Sequence, residues 1–229
     1  MLYTEEAVRA NLRNRDGKRV FFLGKGDCLT PGARDFLQRE RIPILSGEEA
    51  KIETYRLENG GFIREKPEHM THLHGDVLVP KTHPRIAFRG KVDTLEAQLL
   101  LCQREAEGMA KQVGEILSLA RQIIRCDVLE EELKTDTLCG LTEAQQRSRS
   151  HRPQEYYGIA HFMPQSGDGR EIARLNRVRC AVREAEIRCA AAFSDREGNP
   201  TRLDIIRAMN RMSSMVYILM LEKKASKGE

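Results

Sequence analysis

From about residue 85 to residue 222 the apolar residues of this chain recur every three or four positions, and that period constrains the fold more than any other feature. Ile86, Val92, Leu95, Leu99 and Leu100 make a first stripe, and Val113, Ile116, Leu117, Ala120, Ile123 and Ile124 a second. Ile172, Leu175, Val178, Val182, Ala185, Cys189 and Phe193 form a third, stopped by Gly198-Asn199-Pro200; Ile205, Ile206, Met209, Met212, Val216, Leu219 and Met220 form the last. Charged residues fill the gaps, so each stripe is one face of an amphipathic helix. Four long helices and a shorter one make a bundle, where chemistry rests on polar residues that interrupt the apolar faces. Residues 134 to 158 lack the period, and the Arg/Ser/Gln-rich part at 145–152 reads as a mobile loop. The tail from residue 223 is expected to fray.

Residues 1–65 read as a small mixed α/β unit. Val20-Phe21-Phe22-Leu23 is a strand, Gly24-Lys25-Gly26-Asp27 a turn, and Thr30-Pro31 the capped start of a helix with Ala33, Phe36 and Leu37 inward. Glu58-Asn59-Gly60-Gly61 is a turn of a hairpin or linker. Pro67, Pro80 and Pro84 punctuate the next stretch of chain, which places a boundary near residue 66 and assigns 66–229 to the helical domain.

Composition removes several functions. With 31% charged residues and no apolar run of roughly 18–20 residues, no membrane span is expected. The acidic N-terminus resembles neither a secretory signal nor a transit peptide, so a cytoplasmic protein is expected. The six cysteines lie far apart, against structural zinc or disulfides. A formal charge of +4 from basic residues that alternate with acids, with no Trp, speaks against nucleic acid and is compatible with an anionic small molecule.

Several residues stand out as candidates. Asp93 beside Val92 is either a first-turn carboxylate favoured by the helix dipole or a buried acid in need of a cation. Arg179, Arg183 and Glu186 share one helical face, as a phosphate site or as a solvated ion-pair ladder. Asn210-Arg211-Met212-Ser213-Ser214 puts polar residues on the last helix, for a ligand or for helix packing. His69, His72 and His74 are close enough for a transition metal, but without Cys and without a fourth ligand.

The segment THPRIAFRGKVDTLEAQ (82–98) resembles the DDPRIEAYGTVDELNA-type opening of the corrinoid adenosyltransferases related to propanediol utilisation. RCAVREAE (179–186) is similar to that family's RxxxRRAE helix, and MNRMSSMVYIL (209–219) to its LNRLSDYLF segment. Thr71-His72-Leu73, His161-Phe162-Met163-Pro164 and the N-terminal LTPGAR resemble the ethanolamine-utilisation branch. The resemblance implies a homotrimer of five-helix bundles with sites between subunits. It implies transfer of the 5'-deoxyadenosyl group of ATP to cob(I)alamin, with Mg²⁺, and release of triphosphate. Asp93 and Arg179 would then be an intersubunit pair, Arg183 and Glu186 contacts to the nucleotide, and Asn210 a holder of ATP. Phe162 would keep water from the lower face of the corrin. Thr71, His72, Lys81 and Arg85 complete the implied nucleotide set. Ethanolamine ammonia-lyase and a corrinoid reductant are the implied partners, with a bacterial microcompartment as the narrower location.

The chain departs from the family pattern in three places. HMTHLHGDVLVPK stands where the propanediol-type enzymes carry a TGDxGxT phosphate loop. Glu184 replaces the second Arg of RRAE. The branch's His-then-CCxxC metal motif is absent, which implies a metal-independent member. The changed loop favours a rival reading, a module that binds and delivers adenosylcobalamin or ATP, and the N-terminal unit favours a structural part of a microcompartment.

Overall fold

The computed structural model describes residues 1–15, 18–46, 55–106 and 108–226. The chain divides into two compact units, Met1–His83 with Val128–Glu130, and Pro84–Asp127 with Glu131–Glu229.

The first unit is mixed α/β, as expected. Strand β1 (Leu2–Tyr3) pairs in parallel with β4 (Cys28–Leu29), and helix α1 (Glu5–Ala10) follows β1. Strand β3 (Lys18–Leu23) pairs antiparallel with β2 (Arg13–Arg15) and parallel with β5 (Ile44–Ser46). Helix α2 (Pro31–Arg39) lies in sequence between β4 and β5, and the Thr30 side chain caps it by accepting from the Ala33 N–H at 3.3 Å. Val8, Phe21, Leu29, Ala33, Phe36, Leu37 and Ile42 form the core of this part. A second sheet runs β7-β6-β9-β8, with β6 (Tyr55–Leu57), β7 (Phe62–Ile63), β8 (Met70–His74) and β9 (Val77–Pro80). The 58–61 turn closes the β6–β7 hairpin, with Gly60 at φ +87°, a region that favours glycine. Because β6 pairs with β9, the sheet runs through the stretch punctuated by prolines, and by packing the division falls at His83 rather than near residue 66.

The second unit is helical. Helices α3 (Pro84–Glu105), α4 (Ala110–Leu129), α7 (Arg170–Ala192) and α8 (Leu203–Ala225) are the four long ones. They share one core, in which Phe88, Val92, Leu95 and Leu99 of α3 meet apolar residues of α4, α7 and α8. Ile86 and Leu100 fall outside the buried face; Phe88 and Cys102 occupy it instead, because the stripe steps 4, 3, 4, 3 from Phe88. Helix α7 packs against both α3 and α8.

Two expectations are overturned. Residues 145–152 are not a mobile loop: β10 (Thr137–Leu138) and β11 (Leu141–Thr142) form a short hairpin that leads into α5 (Glu143–His151), and α6 (Pro153–Tyr157) comes next. Thr142 and Gln145 make a reciprocal capping box, and Gln146 and Ser150 are the buried side of α5, so a polar helix is held by its cap and by α8 rather than by an apolar stripe. The tail does not fray from residue 223, since α8 runs to Ala225 and Lys223 pairs with Glu171 at 2.5 Å.

Candidate functional site

Where α7 and α8 pack, their inner positions are apolar. Val178, Val182, Ala185 and Cys189 are buried on α7, and Met209, Met212, Met215 and Val216 on α8. The polar residues of the two helices flank that seam at matching steps: Arg179, Arg183 and Glu186 are four and three apart, as are Asn210, Ser214 and Tyr217. They line one open groove of about 360 Å³ with Ser213, Arg211, Ser150, His151 and His161. Four of the residues singled out by sequence, Arg179, Arg183, Glu186 and Asn210, therefore meet in one place.

The groove is internally braced. The Asn210 side-chain amide donates to Glu186 Oε1 at 2.8 Å, and Arg211 donates to Asn210 Oδ1. Arg179 Nε donates to Asn176 Oδ1 at 3.4 Å, and its guanidinium lies 5.9 Å from the Tyr217 ring centroid. The imidazole of His161 stacks on Tyr217 with centroids 5.9 Å apart and planes at 7°. His161 Nε2 is 3.3 Å from the His151 carbonyl, which can only accept, so that nitrogen carries the hydrogen. In the neutral ring Nδ1 then accepts from the Tyr217 hydroxyl at 3.1 Å. Arg211 is the other cation of the wall. Its Nε lies 4.0 Å from Glu143 Oε1, and its Nη1 is buried without a hydrogen-bond partner among the described residues, a donor that favours an acceptor-rich guest. The described lining holds three arginines and one carboxylate, Glu186, so the groove attracts anions.

Phe162 is half-buried one layer behind this wall, stacked on Tyr217 at 6.3 Å and 27°, with the Lys224 ammonium 5.7 Å from its ring centre. Asp93 is exposed in the middle of α3, so the first-turn carboxylate reading fails, and within the chain it makes no ion pair among the described residues. Among the described acids of this bundle Asp127, on α4, is fully inaccessible. It accepts from Arg85 Nε at 2.8 Å and Arg89 Nε at 2.6 Å. Arg85 is thus engaged in neutralising Asp127 and does not line the groove. A carboxylate removed from water holds the cations that offset its desolvation.

Thr71, His72 and Lys81 belong to the first unit, on and after the β8–β9 hairpin. Thr71 pairs across from Val79, and the Lys81 N–H donates to the His69 carbonyl at 2.9 Å. Burial, together with the positive charges of Arg13 and Lys66, pushes the His72 imidazole below its ordinary pKa, so at neutral pH it is uncharged. Among the described residues no group of three His, Cys, Asp or Glu is placed to hold a metal ion, and His69, His72 and His74 form no such group. Glu184 faces α3, where its carboxylate accepts from Lys91 Nζ at 2.9 Å and is held below the usual carboxylate range by that bond. The reversed charge therefore faces away from the groove.

Sequence reasoning missed Tyr217, His161 and Ser150 as groove residues and Asp127 as the buried acid. For Tyr217 the signal was present, since it continues the Asn210 and Ser214 face by one step. His161 and Ser150 come from elements without helical period, where spacing carries no information.

Comparison with known proteins now bears on the groove. Residues 62–223 match the family model of cobalamin adenosyltransferase. The corrinoid adenosyltransferase EutT of Salmonella typhimurium (strain LT2) is 31% identical over 242 residues, covering 95% of this chain and 90% of that protein. The corrinoid adenosyltransferase EutT of Escherichia coli (strain K12) is 36% identical over 160 residues, covering 69% of this chain and 60% of that protein. A solved variant of the PduO-type ATP:corrinoid adenosyltransferase from Lactobacillus reuteri, complexed with cobalamin and ATP, shares the fold with a TM-score of 0.54 at 14% identity. That match covers 70% of this chain and 91% of the solved one. The family match spans α3, α4, α7 and α8, the last as far as Lys223, and every residue that lines the groove, and the chain belongs to the cobalamin adenosyltransferase family.

Proposed function

We propose that this protein transfers the 5'-deoxyadenosyl group of ATP to cob(I)alamin, its corrinoid substrate. The carrying observation is the groove between α7 and α8, whose described lining holds Arg179, Arg183 and Arg211 with a single carboxylate, in an Asn210–Glu186 hydrogen bond. The electron pair of Co(I) forms the cobalt–carbon bond at C5' while the carbon–oxygen bond to phosphate breaks, and triphosphate departs with the electrons of that carbon–oxygen bond. The protein's work is alignment and neutralisation of the departing charge.

Arg183 and Arg211 serve the phosphates, and Glu186 with Asn210 fixes the nucleoside. Phe162 shields the lower face of the corrin, which eases reduction by favouring four-coordinate Co(II). Thr71, His72 and Lys81 remain part of the proposed nucleotide set, His72 as a neutral hydrogen-bonding group. Arg85 serves it indirectly, through Asp127. Mg²⁺ fits only as part of the nucleotide: an ion carried on phosphates needs one or two carboxylates, and Glu186 is the one available in the groove lining. When bound it would neutralise phosphate charge. The same proposal includes a homotrimer with Asp93 paired to Arg179 of a neighbour and residues 66–229 as the catalytic part. It also includes an assembly or targeting role for 1–65, supply of adenosylcobalamin to ethanolamine ammonia-lyase, an external corrinoid reductant, and a cytoplasmic site within a microcompartment.

A second reading, a binding and delivery module, draws on one observation. The segment at the phosphate-loop position is a β8–β9 hairpin, with a register shift between His72 and His74, whose ladder occupies backbone N–H groups that a phosphate loop leaves open. One experiment separates the two. Reduced cobalamin, ATP and Mg²⁺ are incubated anaerobically with the protein, and the absorbance spectrum is followed. Conversion to adenosylcobalamin is expected, with a loss of about 10²-fold or more in Arg183→Ala. Saturable corrinoid binding without conversion would establish the delivery module instead.

A further inference from the structure

We infer that Tyr217 is a positioning residue that couples occupancy of the arginine groove to the placement of Phe162; this rests on the function proposed above. Tyr217 lines the groove, and its ring meets three partners: the Arg179 guanidinium at 5.9 Å, His161 at 5.9 Å and Phe162 at 6.3 Å. The segment that carries His161 and Phe162 has no helix or strand from 159 to 165. Its course is therefore set by side-chain contacts instead of a backbone ladder. Those contacts include the two stacks on Tyr217, the 3.1 Å hydrogen bond from the Tyr217 hydroxyl to His161, the bond of His161 Nε2 to the His151 carbonyl, the Lys224 ammonium over Phe162, and the anchor at Asp168, which accepts from the Gln165 N–H at 2.7 Å and pairs with Lys224.

An anion in the groove competes with the Tyr217 ring for Arg179, whose five N–H donors allow it to meet a phosphate oxygen beside Arg183 while keeping its proposed Asp93 partner. A charge-assisted hydrogen bond to a phosphate oxygen outweighs the attraction between a cation and a ring face, so a bound nucleotide draws the guanidinium off Tyr217. The ring loses a neighbour on its groove side, and the stacked segment moves with it. Phe162 is then set for the corrin only when the nucleotide is in place.

The chain contains no Trp, so Phe162→Trp supplies a single emission reporter in the full-length protein. ATP is expected to shift its emission, and the shift at saturating ATP is expected to vanish when Tyr217→Leu is added, with saturation of the variant checked by calorimetry. Tyr217→Phe keeps the stacks and is expected to restore the shift. If Tyr217→Leu fails to fold, His161→Ala, at an exposed position, is expected to reduce the shift by at least half. An unchanged shift in the foldable variant, or none in the Phe162→Trp parent that binds ATP, overturns the coupling. A shift in a protein that makes no adenosylcobalamin keeps the coupling and rejects the catalytic reading. No calorimetric binding of ATP rejects both.

Discussion

Asp204, in the first turn of α8, shows how one carboxylate is held against its own burial. Desolvation pushes its pKa up, but the Arg202 side chain and the N–H groups of Leu133 and Ile205 outweigh it, and the value falls from 3.8 to about 2. The Leu133 bond is 2.8 Å, so the ionised acid ties the 131–136 connection to the start of α8. A depressed folded value means that the stabilisation is complete above the unfolded pKa of 3.8 and is lost as pH falls through about 2. With solvent screening allowed for, it amounts to about 1–2 kcal/mol. Urea unfolding of Asp204→Asn is expected to show that loss at neutral pH and a correspondingly flatter acid limb between pH 4 and 2. A parallel acid limb in the variant would assign the slope to other carboxylates. Asp127 is the deeper case. It is fully buried between Arg85 and Arg89, and removal of either side of such a pair costs about 3–5 kcal/mol because a charge is left unpaired.

Among the elements, α5 is the one that hydropathy could not announce. Its sequence, EAQQRSRSH, has no apolar stripe, and its buried positions are Gln146 and Ser150. The Gln146 amide N–H donates to the Leu141 carbonyl at 2.9 Å, while its Oε1 is buried without a hydrogen-bond partner among the described residues. The legible signal was the Thr142-x-x-Gln145 capping box. It carries enough of the helix that Thr142→Ala is expected to cost about 1 kcal/mol, read as a lower urea midpoint at unchanged slope. If α5 were held by tertiary contacts alone, the midpoint would not move. The four long helices were legible because burial repeats with the helical period; the choice of Phe88 and Cys102 over Ile86 and Leu100 on α3, and the partial exposure of Ile124 on α4 and Ile206 on α8, needed the packed structure. The first unit was legible at Thr30-Pro31 and at 58–61, where cap and turn chemistry is local. The β6–β9 pairing that extends it to His83 is long-range, and no spacing rule reaches across it.

At the scale of the molecule, the site was legible in proportion to how much of it lies on periodic elements. Arg179, Arg183, Glu186 and Asn210 could be brought to one face because α7 and α8 repeat, whereas nothing in sequence told that Asp127 would hold Arg85 outside the groove lining. Asp93 remains the residue that one chain leaves unexplained. It is exposed on α3, while Arg179 is half-buried at the groove and bonded within the chain only to Asn176 and the Tyr217 face. An acid and an arginine that each make no ion pair among the described residues are complementary across a subunit contact, as the proposed trimer requires. Asp93→Ala and Arg179→Ala are each expected to reduce turnover at least about tenfold and to shift the sedimentation profile towards monomer, with the double variant little worse than either single one. Partners in one pair behave this way because removal of the first already forfeits the interaction, and a lone charge left at the interface adds its own desolvation cost. Additive losses, or singles that sediment as the parent does, would separate the two residues and leave Arg179 to the nucleotide alone.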